Sequence, residues 1–286
     1  MNHSRLGEQT RLGGVRLQVA DLDRSLRFYR DLLGFRELGR PAGSASLGVP
    51  GGSRPLVTLV ERSSIGRVPP RGRLGLFHFA ILLPTRGALG SILAHLNAHH
   101  VQPGMSDHLV SEALYLSDPD GLGIEIYADR PRSAWTRRGD ELMMATEPLD
   151  VEGLLRETGA GEWQGMPAGT SIGHIHLHVG DLVRAEEFYA TLIGFDVVVR
   201  SYPGALFMSA GGYHHHLGTN TWARGATAPP PDEAQLLDWE LVVADRMEVQ
   251  AIGQRLRAGG ATASGEADGV LIARDPFGTS VRILAA

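Results

Sequence analysis

Apolar and polar positions change period along the chain in a fixed order. Leu17 and Val19 alternate with polar neighbours as on a strand, and Asp21 then fits a helix N-cap. Leu22, Leu26, Tyr29 and Leu33 recur at helical spacing, and Gly34 fits the stop of that helix. Short strand-like runs follow, among them residues 55–60. The strand-like LFHFAILLP (76–84) precedes a helical run through about His100. EALYLSDPDGLGIEIYA then reads as two strands about an Asp-Pro-Asp-Gly turn. The plan returns further on, where DWELVVAD (238–245) leads a helix and VLIARDPFGTSVRILAA supplies a second strand–turn–strand.

This recurrence is a true internal repeat. Residues 13–35 and 173–195 are identical at 11 of 23 positions, at an offset of 160 and without a gap. The two halves are therefore homologous. Each half divides again, so the pattern predicts an α+β chain of four tandem βαβββ modules. Modules 1 and 2 fall in a first domain at 10–130, and modules 3 and 4 in a second at 171–286. The segment 131–170 breaks the pattern with charge, Gly and Met, and reads as a connection carrying one short helix. APPPDE near 228–233 reads as a surface linker between modules 3 and 4.

Composition narrows the chemistry. With 43% hydrophobic and 21% charged residues, the 286-residue chain has the apolar surface for ordinary buried cores. A net charge of −5 with no basic patch argues against nucleic acid as a partner. All 27 basic residues are Arg, which excludes Schiff-base lysines and a Walker-type phosphate loop. The absence of Cys excludes disulfides, thiolate metal sites and iron–sulfur clusters. MNHSRLGEQTRLGG is polar, so no signal peptide is expected there. No apolar run approaches the ~18 residues of a membrane span, and the cytoplasm is the expected location. Self-association into a homo-oligomer is left open.

The openings VADLDRSLRFY and VGDLVRAEEFY, the hairpins DPDGLGI and DPFGTSV, and the stretch GGYHHHLGTNTW sit within this four-module plan. Together they resemble the vicinal oxygen chelate superfamily of glyoxalases, extradiol ring-cleaving dioxygenases and bleomycin or fosfomycin resistance proteins. The chain looks most like the catechol 2,3-dioxygenase-like branch of two-half proteins, over nearly its whole length. The resemblance implies cup-shaped mixed β-sheets, each closed by two modules. It also implies one divalent metal, with ligands from the first and last strands of modules.

Aligning the modules places Gly14, His78, His174 and Asp238 at the first-strand position. Thr58, Glu125, His216 and Arg282 fall at the last-strand position, at separations of 44, 47, 42 and 44 residues. Modules 1 and 4 thus offer no plausible metal site, whereas modules 2 and 3 offer His78, Glu125, His174 and His216. The simplest arrangement closes modules 2 and 3 into one cup and modules 1 and 4 into a metal-free one. Pairing 1 with 2 and 3 with 4, or a cup shared between two chains, stays open. Glu125 shares its strand face with Tyr127, opposite Ile124 and Ile126. A carboxylate on an inner face must be paired or metal-bound. His176 and His178 share a face with His174, which is preferred as the ligand because it stands at the superfamily's position.

His78, Glu125 and His174 compose the two-histidine, one-carboxylate set of non-haem Fe(II) oxygenases, and Mn(II) tolerates the same ligands. The resemblance implies a small aromatic substrate of catechol type and dioxygen. His216 is either the acid–base residue of ring cleavage or a fourth ligand, with His214 on the same face as its substitute. His108 and Tyr115 match the order of a His and a Tyr that flank substrate in extradiol enzymes. The principal expectation is an Fe(II)-dependent extradiol-type dioxygenase. The alternatives are a glyoxalase-type isomerase or lyase, with the metal as Lewis acid, and a drug-binding module. The aromatic residues are too dispersed in sequence to define a pocket.

Overall fold

A computed structural model describes residues 5–158, 163–265 and 269–286. Module 1 contributes β1 (Arg11–Val19), β2 (Arg36–Gly39), β3 (Ser44–Gly48) and β4 (Val57–Glu61). Module 2 contributes β5 (Gly75–Leu82), β6 (Gly104–Asp107), β7 (Ser111–Ser117) and β8 (Gly123–Asp129). A two-stranded ribbon, β9 (Arg137–Arg138) and β10 (Glu141–Leu142), lies in the connecting segment. Module 3 supplies β11 (Ser171–His178), β12 (Asp196–Val199), β13 (Ala205–Ser209) and β14 (Leu217–Asn220). Module 4 supplies β15 (Gln235–Val243), β16 (Ala263–Gly265), β17 (Leu271–Arg274) and β18 (Ser280–Ala285).

The helices are α1 (Leu22–Leu26), α2 (Arg86–Ala98), α3 (Val151–Arg156), α4 (Leu182–Glu186) and α5 (Arg246–Ala258). α3 is the short helix expected in the connection. Asp21, Thr85, Asp181 and Asp245 cap the four module helices by accepting backbone N–H groups of the first turn. None of the helices among the described residues is long and apolar enough to cross a membrane.

Two eight-stranded mixed sheets form the body. One runs β16-β17-β18-β15-β1-β4-β3-β2 and the other β12-β13-β14-β11-β5-β8-β7-β6. Modules 1 and 4 therefore share one sheet, and modules 2 and 3 share the other, within a single chain. In each module the first strand pairs parallel with the last, as Ala80 does with Glu125 and Arg16 with Thr58. Between modules the first strands pair antiparallel, with Arg16 opposite Asp238 and His176 opposite His78. One continuous apolar core unites all four modules, from Leu17 and Phe79 to Leu177 and Trp239.

In the first sheet the positions equivalent to the candidate metal ligands are Gly14, Thr58, Asp238 and Arg282, and the two charged ones are ion-paired, Asp238 with Arg16 and Arg282 with Glu240. Arg16 Nη1 lies 2.8 Å from Asp238 Oδ2, and Glu240 accepts the Gly14 N–H at 3.1 Å.

The helical period across Leu22–Leu33 predicts one regular helix. Instead α1 widens into a π-helical turn at Arg27–Leu32, where Leu33 N donates to Phe28 O at 2.9 Å. Module 3 repeats the feature at Glu187–Ile193. In each half this turn carries a buried tyrosine to the Asp-Pro turn of the following module. Tyr29 Oη donates to Asp118 Oδ2 at 3.1 Å, and Tyr189 Oη to Asp275 Oδ2 at 2.8 Å. The Phe-Tyr and Asp-Pro signatures thus meet in space and tie consecutive modules across the two sheets. Burial pushes the Asp118 carboxyl up to about 6, although Asp120 N and Leu122 N donate to its other oxygen. Tyr29→Phe leaves that buried carboxyl short of a donor, so it should cost about 1–3 kcal/mol. Urea unfolding measures it, and a midpoint equal to that of the native chain would discard the tie.

Candidate metal centre

The second sheet builds its centre from one cross-strand row. Tyr115 on β7 pairs with Glu125 on β8, Glu125 with Ala80 on β5, and Ala80 with His174 on β11. The single methyl of Ala80, fully buried, leaves space between its two neighbours. His78 lies two residues along β5 on the same face and fills that space from below.

The three side chains converge. His78 Nε2 is 3.0 Å from Glu125 Oε2, His174 Nε2 is 3.2 Å from the same oxygen, and the two Nε2 atoms are 3.3 Å apart. Ligands ~2.1 Å from one metal at tetrahedral to octahedral angles stand about 3.0–3.4 Å from each other. The donor set and its spacing therefore fit a divalent metal held on one face. All three residues are buried. Burial pushes the His174 imidazole down to about 4, so at neutral pH its nitrogen carries a free lone pair. Burial alone would raise the Glu125 carboxyl, but His174 and His78 hold it well below the usual range, ionised. Both groups stand in the protonation state that metal ligation requires.

A cavity of about 260 Å³ opens above these donors. His108 and Tyr115 line it together. His108 Nδ1 lies 2.7 Å from the Ala145 carbonyl oxygen, which only an N–H can satisfy, so Nε2 is left to accept the Tyr115 hydroxyl at 2.5 Å. Desolvation, and then the Glu125 charge, raise the Tyr115 phenol well above its ordinary value and keep it protonated.

The histidine triplet requires a correction. His216 does not line the cavity; its Nδ1 accepts the Ala210 N–H at 3.2 Å, and its ring packs on Tyr213. The residue level with Glu125 is Gly218, because Gly218 pairs with His176 as Glu125 pairs with Ala80. A Cβ there would meet the His176 ring at about 2.9 Å, which accounts for the glycine. β14 begins only at Leu217, after Gly211 and Gly212 turn the backbone through φ of 59° and 66°. Strand alternation does not extend back through that turn. His214 also lies outside the cavity, with its Nε2 2.8 Å from Asp129 Oδ1 and its Nδ1 2.7 Å from His215 Nδ1. His215, which alternation assigns to the opposite face, is the triplet member that enters the cavity, with its ring 4.0 Å from that of His174.

Two other features have no signal in the sequence pattern. Phe77 of module 2 and Tyr202, Phe207 and Trp222 of module 3 converge on the cavity and form its aromatic wall. The connecting segment is also part of the site. Asp107 and Glu147 exchange backbone hydrogen bonds of 2.9 Å, and Thr146 Oγ1 lies 2.8 Å from Tyr202 Oη. Met144, Ala145 and Thr146 are thereby laid along the cavity, from the edge strand β6 towards module 3. His176 lies beside His78 at 5.0 Å between ring centroids, and its Nε2 accepts from Asn220 Nδ2 at 3.0 Å. His178 lies further along, 2.7 Å from Asn220 Oδ1.

Comparison with known proteins agrees with this architecture. A Bacillus subtilis (strain 168) protein named Catechol-2,3-dioxygenase is 48% identical over 258 residues, covering 88% of this chain and 90% of that one. Among solved structures, a candidate dioxygenase from Bacillus subtilis subsp. subtilis str. 168 superposes with a TM-score of 0.67 at 13% identity, covering 99% of this chain and 86% of that one. Glyoxalase I from Zea mays does so with a TM-score of 0.56 at 16% identity, over 96% and 92% of the respective chains. Those two likenesses establish the fold, and the first relative makes this chain an enzyme, an oxidoreductase of the dioxygenase kind. Residues 11–126 and 171–283 match the family described as the Glyoxalase/Bleomycin resistance protein/Dioxygenase superfamily, and the chain belongs to it.

Proposed function

We propose that the protein is a non-haem Fe(II)-dependent extradiol-type dioxygenase that opens a catechol-like ring with dioxygen. The observation that carries this reading is the face of two imidazoles and one carboxylate at 3.0–3.3 Å, set on the floor of an aromatic-walled cavity. His78, Glu125 and His174 are the ligands. Bound iron would supply the Lewis acidity and the electrons that ring cleavage by dioxygen requires.

The chain's own side chains handle the protons. Nδ1 of His215 is engaged by His214, so its Nε2 is the nitrogen left to take a proton from a substrate hydroxyl and later return it. Asp129 holds His214, and His214 holds His215. Tyr115 donates its hydroxyl hydrogen bond to His108, so its oxygen can accept a hydrogen bond from the second substrate hydroxyl.

The isomerase reading relied on His216 as a fourth ligand, and His216 is turned towards Ala210. The decisive experiment reconstitutes the protein anaerobically with Fe(II), adds catechol and then admits air. Oxygen uptake matched to catechol loss, with growth of a new visible absorbance, is the expected result. Turnover without oxygen uptake, or stoichiometric binding without turnover, would refute the dioxygenase reading.

A further inference from the structure

The cavity is larger than one aromatic ring needs, and it lacks a counter-charge. An apolar cavity of about 150 Å³ already holds benzene, whereas this one measures about 260 Å³. Its large apolar and aromatic lining residues away from the three donors are Phe77, Met144, Tyr202, Phe207 and Trp222. These rings pack edge to face, with Phe77–Trp222 and Tyr202–Phe207 centroids both 5.6 Å apart. Trp222, 44% exposed, and the exposed Thr146 mark the mouth.

Polar groups near the mouth are already matched. Thr146 and Tyr202 bond each other, and Trp222 Nε1 donates to the Pro203 carbonyl at 3.0 Å. No arginine is among the described residues that line the cavity, and the chain has no lysine. Of the arginines nearby, Arg130 is committed to Asp107 and Glu112 and Arg200 to Glu186, while Arg67 and Arg71 line an adjoining groove rather than this cavity. A substituent carboxylate would have to leave water with nothing to pair with, which is costly. An alkyl or aryl substituent would bury against the rings and gain by it.

We infer that the substrate of this site is a catechol bearing an apolar substituent, alkyl or aryl, and no carboxylate. The inference rests on the dioxygenase reading and deepens it by naming the substrate class.

Two measurements on Fe(II)-loaded protein test it. Anaerobic titration, followed by tryptophan fluorescence, gives affinities for catechol, 4-methylcatechol, 4-ethylcatechol, 3,4-dihydroxybenzoate and 3,4-dihydroxyphenylacetate. Oxygen uptake then gives kcat/KM for the same panel. The alkyl catechols should equal or exceed catechol in both measurements. The two carboxylates should fall at least about 100-fold lower, with the loss in affinity and KM, because an unpaired carboxylate is excluded. Carboxylates within tenfold of the alkyl catechols would overturn the inference. Their counter-charges would then be Arg67 and Arg71, which line an adjoining groove shared at Phe77, His78 and Tyr115. Alkyl catechols bound more weakly than catechol would overturn it as well. If nothing in the panel is oxidised, the dioxygenase reading fails, while the anaerobic order of affinities still decides for or against the apolar substituent.

Discussion

Glu125→Ala abolishes tight binding of a divalent metal, and His78→Ala and His174→Ala do the same. The three donors stand on three different strands, and each pair is separated by the spacing of ligands on one ion. Residues that merely orient a ligand cost about 10–100-fold in metal affinity when replaced, so loss of a ligand itself should exceed ~100-fold. Metal analysis after dialysis reads this directly, with one ion per native chain and close to none in each variant. His216→Ala serves as the control and keeps its metal, because its imidazole faces Ala210. A tight ion retained by any of the three ligand variants would sink the assignment.

His215→Gln keeps the metal and loses turnover, by about 10²–10⁴-fold in kcat, the range that general acid–base catalysis contributes. Glutamine can fill the space and offer a hydrogen bond, but it cannot carry a proton. His216→Gln, in contrast, leaves kcat within a few-fold of native. Measured side by side on Fe(II)-loaded protein, the pair separates a residue in the cavity from one behind it. A His215→Gln enzyme within tenfold of native would remove His215 from the proton path.

The fold was legible because the repeat is strong and its markers have physical jobs. The helix N-caps at Asp21 and Asp181, the Phe-Tyr pairs and the Asp-Pro turns recur because each does the same job in both halves. The convergence of His78, Glu125 and His174 was legible for a related reason: each sits within a regular strand, where alternation assigns the face. His216 was misplaced where that regularity stops. Spacing alone put it level with Glu125, whereas pairing puts Gly218 there, 44 residues after His174, as Thr58 is after Gly14. Two glycines at positive φ then let His215 enter the cavity. Met144 and Thr146 had no periodic signal at all. They are held by an isolated backbone bridge from Asp107 to Glu147 and by one hydroxyl pair.

The pairing of modules also sets which sheet has all its strands first as the chain is made. All strands of the sheet that carries His78, Glu125 and His174 have been made once the ribosome passes Asn220. β1, although synthesised first, pairs on one side with β4 and on the other with β15, where Arg16 meets Asp238. Its second edge therefore stays open until almost the whole chain exists, and an open edge invites pairing with other chains. Gly13 and Gly14, with register shifts on both sides of Val15–Arg16, make β1 a poor template for a regular neighbour. That irregularity falls on the one edge of β1 that waits longest for its partner.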